Sequence, residues 1–194
     1  PNIKFVSKET SQSHLCLGVK GLSTMDERRY AFSIMDNILG GSMSSRLFQE
    51  IREKRGLAYS IFSSSAPHRD FGYFDVYAGT ALANVSQVVD LILKELKKIK
   101  KEGITSEELK RAKDFMKGTL VLGLESTASR MSWMGRSEFY YDRVLTIDEV
   151  FAKVDSVTQD DIIRLCEECF QDRYLNLAVI GDFKGQQPIK EIRL

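Results

Sequence analysis

The sequence predicts an α+β fold of two layers, a largely antiparallel sheet with helices packed on one face. Three observations carry this. Helix starts are marked by Thr-x-x-Glu capping boxes. Strand-like segments of period two gather near the beginning and end of the chain instead of alternating with helices. Two of those segments flank a turn-prone loop, as in a hairpin. No internal repeat or linker-like tract divides the chain, so residues 1–194 read as a single domain.

Taken in order, Leu15, Leu17 and Val19 alternate with His14, Cys16 and Gly18, a half-buried strand. Thr24-x-x-Glu27 then predicts a helix start, and Ala31, Ile34, Met35, Ile38 and Leu39 form the apolar stripe that stops at Gly40-Gly41. A short second helix is predicted over residues 45–55, with Ser44 and Ser45 as cap residues and Leu47, Phe48 and Ile51 inward. Lys54 and Arg55 sit near its negative end, and Gly56 is its left-handed stop. Gly40, Gly41 and Gly56 read as residues that permit chain reversals.

Residues 59–65 (YSIFSSS) and 72–80 (GYFDVYAGT) predict a hairpin, with Ser63 to Ser65 as a solvated strand end. Val85, Val88, Val89, Ile92, Leu93, Leu96 and Ile99 mark a long amphipathic helix closed by a basic run and Gly103. Boxes at Thr105-x-x-Glu108 and Thr146-x-x-Glu149, with a weaker one at Thr158-x-x-Asp161, predict a largely helical region over residues 106–169, interrupted near Gly123 and near Asp142-Arg143. Residues 175–180 (LNLAVI) close the pattern as a buried strand.

Composition narrows the function classes. With 28 basic and 27 acidic residues the formal charge is +1, so no overall field concentrates nucleic acid or an anionic membrane. Arg52, Lys54 and Arg55 are a local basic group without the aromatic interleaving of a nucleic-acid platform. The longest apolar runs fall far short of the roughly 20 residues of a membrane span. Residues 1–9 (PNIKFVSKE) lack an initiator Met and a signal-like apolar core, and the chain is expected to be a piece of something longer. Three cysteines, Cys16, Cys166 and Cys169, favour free thiols in a reducing compartment, with the cytoplasm as default. Cys166-x-x-Cys169 has the spacing of a metal or redox pair, but with Ile162 and Leu165 it falls on a helical stripe, which predicts core packing.

Catalytic frames are lacking. Gly40-Gly41 follows a helix instead of a strand and no Gly-Lys-Ser/Thr is present, which argues against a phosphate loop. His14 and His68, one in a strand pattern and one in a loop, form no zinc-peptidase motif, and no Gly-x-Ser-x-Gly elbow exists. No catalytic residue and no metal ligand is assigned to this chain.

The run ILGGSMSSRLFQEIREKRGLAYSIFSS followed by FGYFDVYAGT resembles the C-terminal half of zinc peptidases of the insulinase and mitochondrial-processing-peptidase family, the M16 peptidases, in its short bacterial and organellar branch. The resemblance extends from HLCLGVKGLS through EELKRAKDFMKGTLVLGLES to LNLAVIGDF, nearly the whole chain. It implies the fold of the processing-peptidase-like metallohydrolases, in which two similar halves close like a clamshell on an extended peptide. It also implies that zinc is held by an N-terminal half carrying an inverted His-x-x-Glu-His motif, absent from this sequence. The expected partners are that half, or a homologous subunit, and a peptide, with no nucleic acid and no membrane. The expected location is the bacterial cytoplasm, or alternatively an organellar matrix.

Arg52 and Tyr59 match the family's arginine and tyrosine that reach toward the peptide, so the resemblance implies a substrate-binding role for both. A cationic fork and a phenol can each donate to a carbonyl or its developing oxyanion. On residues alone, Arg52 reads as an arginine that caps or pairs on the helix surface and Tyr59 as a strand aromatic. Two functions follow: the substrate-contacting half of a metallopeptidase, inactive alone, or a non-catalytic scaffold subunit of the same family.

Overall fold

A computed structural model of the chain describes residues 1–185 and 187–194. Five strands form one sheet in the order β1 (Asn2–Ser7), β5 (Asn176–Gly181), β2 (Ser13–Lys20), β4 (Gly72–Thr80) and β3 (Ala58–Pro67). All neighbours run antiparallel except β1 and β5, which are parallel. Helices α1 (Arg29–Leu39), α2 (Val85–Glu102), α3 (Ser106–Gly123), α4 (Thr127–Tyr141), α5 (Ile147–Ser156) and α6 (Gln159–Cys169) supply the second layer. The predicted α+β class therefore holds, with one parallel pair at the edge.

Alternation along the strands explains why the helices gather on one side. Leu15, Leu17 and Val19 of β2 and Phe74, Val76 and Ala78 of β4 are buried, whereas Cys16, Lys20 and Tyr73 on the opposite face are exposed. Phe74 is fully buried, with its ring centroid 6.0 Å from that of Phe32 and 5.7 Å from that of Phe170. The stripe of α1 and seven apolar residues of α2 meet this face.

Three predicted capping boxes are fully formed, at Thr105 with Glu108, Thr146 with Glu149, and Thr158 with Asp161. The box predicted at Thr24 is not formed. The Thr24 amide donates to the His68 carbonyl at 2.7 Å, α1 begins five residues later, and Glu27 pairs with Lys153 at 2.8 Å. Tertiary contacts with the hairpin loop and α5 have taken both members of the box. The strand β1 was not predicted. None of its six residues is fully buried; Ile3 and Phe5 pack partly against the core, and pairing with β5 completes the strand.

Cys166 and Cys169 are buried with Ile162 and Leu165, as the stripe predicts. Burial pushes both thiols up, that of Cys169 to about 11, so neither is a ready nucleophile. Replacing both with Ala is expected to lower unfolding stability by on the order of 2 kcal/mol, read from urea melts. Unchanged stability would show that they do not pack as a core pair.

Candidate functional site

The stretch that carries the resemblance folds into a wide turn feeding an edge strand. Residues Phe48–Glu53 form a π-helix instead of the continuous α-helix expected over residues 45–55, anchored in the core by Leu47 just before it and Ile51 within it. The Lys54 amide reaches back five residues to the Gln49 carbonyl at 3.0 Å. Ser44 and Ser45 do not cap it. The helical turn starts with Leu47 in helical conformation, and the buried Ser45 hydroxyl has no hydrogen-bond partner among the described residues.

Gly56 then reverses the chain at φ +62°, the one glycine of the three with a left-handed backbone. Strand β3 begins at Ala58, and its register against β4 slips between Ala58 and Ser60, leaving Tyr59 as the extra residue of a bulge. The Thr80 hydroxyl donates to the Leu57 carbonyl and ties this point to the end of β4. Tyr59 projects from the bulge and is 75% exposed.

Arg52 and Tyr59 meet. The Arg52 guanidinium carbon lies 4.7 Å from the centre of the Tyr59 ring and 4.9 Å from that of Phe48. Cation–π attraction to two rings holds the fork without using its donors. Among the described residues, neither the Arg52 guanidinium nor the Tyr59 hydroxyl makes a hydrogen bond or an ion pair. The neighbouring basic residues are spent differently. Lys54 at 3.0 Å and Arg55 at 2.5 Å both bind the Glu50 carboxylate, and their hydrogen bonds hold that carboxyl below its usual range. Phe48, expected only to pack, thus also stacks on Arg52. Its spacing four residues before Arg52 is a signal the sequence did contain.

Behind the site, the end of α1 is pressed against β3. Ser63 is buried, not solvated, and its hydroxyl donates to the Asp36 carboxylate and, at 3.1 Å, to the Asp36 carbonyl. Burial pushes the Asp36 carboxyl up despite the serine hydrogen bonds. Gly40, at φ −152°, is not left-handed and serves this approach: a Cβ there would lie 2.6 Å from the Ser63 hydroxyl oxygen and closer still to the Ser63 amide.

The two histidines lie apart from this pair of donors. His14 Nδ1 contacts the Tyr77 hydroxyl at 2.7 Å on the open face of the sheet, and His68 stacks on Phe71 in the β3–β4 loop at 4.5 Å. Cys16, exposed on the open face but partly covered at its sulfur, faces Asp75 at 3.6 Å, and this partial desolvation, reinforced by that carboxylate, pushes its thiol up to about 11. Among the described residues no three His, Cys, Asp or Glu side chains gather as a metal-ligand set, so the donors present do not fit a zinc site. No helix is long and apolar enough to cross a membrane.

Residues 1–116, which include Arg52 and Tyr59, match the family model described as "Peptidase M16 inactive domain". The chain is 43% identical over 181 residues to the uncharacterized zinc protease YmxG of Bacillus subtilis, covering 93% of this chain and 44% of that protein. It is 40% identical over 185 residues to an uncharacterized zinc protease of Streptomyces coelicolor, covering 95% and 40%. Among solved structures it is similar to a peptidase M16 inactive domain from Pseudomonas fluorescens, with TM-score 0.86, 24% identity, and coverage of 96% of this chain and 45% of that one. A protease from Helicobacter pylori gives TM-score 0.82 at 23% identity, covering 92% and 44%. The chain spans less than half the length of these relatives.

Proposed function

The chain belongs to the M16 peptidase family, as an inactive-type domain, and from that membership we propose that it is the substrate-contacting half of a zinc metallopeptidase whose metal is held outside this chain. The observation that supports this reading is the Arg52–Tyr59 pair: two adjacent donors, stacked at 4.7 Å, with no acceptor of their own among the described residues. In the proposed arrangement a zinc-bearing N-terminal half closes over an extended peptide. Zinc held by that other half would supply Lewis acidity and a bound water.

The part played by this chain is binding and orientation. The phenol of Tyr59 donates one hydrogen bond to the carbonyl of a bound peptide, and the fork of Arg52 donates to the same or the adjacent carbonyl. Both donors gain strength as negative charge develops on the oxygen. Stacking of Arg52 between two rings fixes the fork before the peptide arrives, so little ordering remains to be done on binding. Cytoplasmic location belongs to the same reading.

Two measurements test it. The chain prepared alone, dialysed against trace zinc, is expected to bind no stoichiometric metal and to cleave no peptide, because its donor set does not fit zinc. Mixed with a zinc-bearing half of the same protein, it is expected to restore chelator-sensitive peptide cleavage. One-to-one zinc with cleavage by the chain alone would overturn the assignment. An assembled pair that holds zinc yet cleaves nothing would favour a scaffold subunit.

A further inference from the structure

Arg46 stands just ahead of the π-helix that carries Arg52, and it is almost enclosed, with 15% of its side chain exposed. Its Nε donates to one Glu108 oxygen at 2.7 Å and its Nη2 to the other at 2.8 Å. The same Nη2 also donates to the Gly103 carbonyl at 3.0 Å. Glu108 has a second duty, since its carboxylate accepts the Thr105 amide at 2.8 Å and closes the capping box of α3. Arg46 and Glu108 together therefore join three pieces of chain: the turn bearing Arg52, the Gly103 exit from α2, and the first turn of α3. Burial alone would push the Glu108 carboxyl up, but hydrogen bonds from Arg46 and the Thr105 amide, with the Arg46 charge, hold it at about 2.

We propose that Arg46 and Glu108 are positioning residues, a bidentate clasp that sets the position of the Arg52 fork against Tyr59. The π-helix gives such an anchor a purpose. Its i to i+5 turn departs from the α-helical ladder, so the two rings hold the Arg52 fork in place only where the turn itself is anchored. Arg46 is anchored to α3 at one end of that turn, and Ile51 is buried beside Arg52 at the other. A lysine at position 46 would keep the charge but could not span both carboxylate oxygens and the Gly103 carbonyl in one plane.

The inference rests on the proposed peptide-contacting role only for its kinetic consequence, and its first test is independent of that role. Arg52 side-chain protons above two aromatic rings should resonate upfield in the NMR spectrum of the 194-residue chain. In Arg46→Met/Glu108→Gln, which removes both charges of the bidentate pair and keeps a cap-competent residue in α3, that upfield shift should collapse. The Trp133 indole N–H, bound to the Leu145 carbonyl, should stay in place and report an intact fold. Arg46→Lys should fold and move the Arg52 resonances part of the way.

In the assembled zinc enzyme the double variant should lose on the order of 10- to 100-fold in kcat/KM, since small misplacement of a positioned donor is costly. It should lose nothing further in an Arg52→Ala background. Unmoved Arg52 resonances in the two variants, with only a lowered Tm, would overturn the clasp whatever the kinetics of Arg52 itself. Equal kinetic losses with and without Arg52 would do the same.

Discussion

Arg52→Ala and Tyr59→Phe, introduced into the enzyme assembled with its zinc-bearing half, are each expected to lower kcat/KM by about 10² to 10³. Losses of that size follow removal of a donor that meets its full charge only in the transition state. Neither change should alter zinc content, because neither residue belongs to a ligand set. Neither should lower Tm appreciably, because Tyr59 is largely exposed and Arg52 has no ion pair among the described residues. Tyr59→Phe is the sharper probe, since it keeps the ring that stacks on Arg52 and removes only the hydroxyl. If both variants turned peptide over normally per folded molecule while melting at lower temperature, Arg52 and Tyr59 would be scaffold.

The largest effect expected on stability is at Gly40. In Gly40→Ala the new Cβ would sit 2.8 Å from the Ser63 Cβ and nearer to the Ser63 amide, where backbone must move to make room. The cost should be about 3 kcal/mol, at the upper end for overpacking, which for a chain of this length lowers Tm by roughly 6–12 °C. Gly118→Ala is the control. That glycine lies on the exposed side of α3 with nothing within 4 Å of the added carbon, so the change should stabilise by about 0.5–1 kcal/mol. Equal melting of the two variants would show that the approach of α1 to β3 is loose enough to accept a side chain.

Features set by neighbours in sequence were legible. The boxes at Thr105 and Thr146 and the buried stripe of α6 form as local pattern predicts, because the groups that satisfy each other lie within one or two turns. Features set by distant partners were not. Thr24 and Glu27 have the spacing of a box, but His68 and Lys153 bind them first. In residues 2–7 only Ile3 and Phe5 alternate with polar neighbours, a pattern too short to announce a strand until β5 lies alongside.

The site shows the same division. Arg52 and Tyr59 were singled out through the family resemblance, and their spacing does not reveal that they stack. A π-helix and an α-helix share the same apolar pattern over so short a span, and the bulge at Tyr59 depends on register with β4. Arg46 left no sequence signal, since its partner Glu108 is 62 residues away.

The position of β5 between β1 and β2 has a consequence for biosynthesis. Asn2 pairs with Asn176, a separation of 174 residues, so β1 leaves the ribosome well before its partner strand β5. At about 5–20 residues per second that delay is roughly 9–35 s. The β2–β4–β3 meander can assemble meanwhile, but β2, a central strand of the finished sheet, then presents a bare edge able to pair with a neighbouring nascent chain. Chaperone dependence of this chain should accordingly track the emergence of residues 176–181. A truncation ending before them should aggregate through β2 even though its own hairpin and α1 are complete.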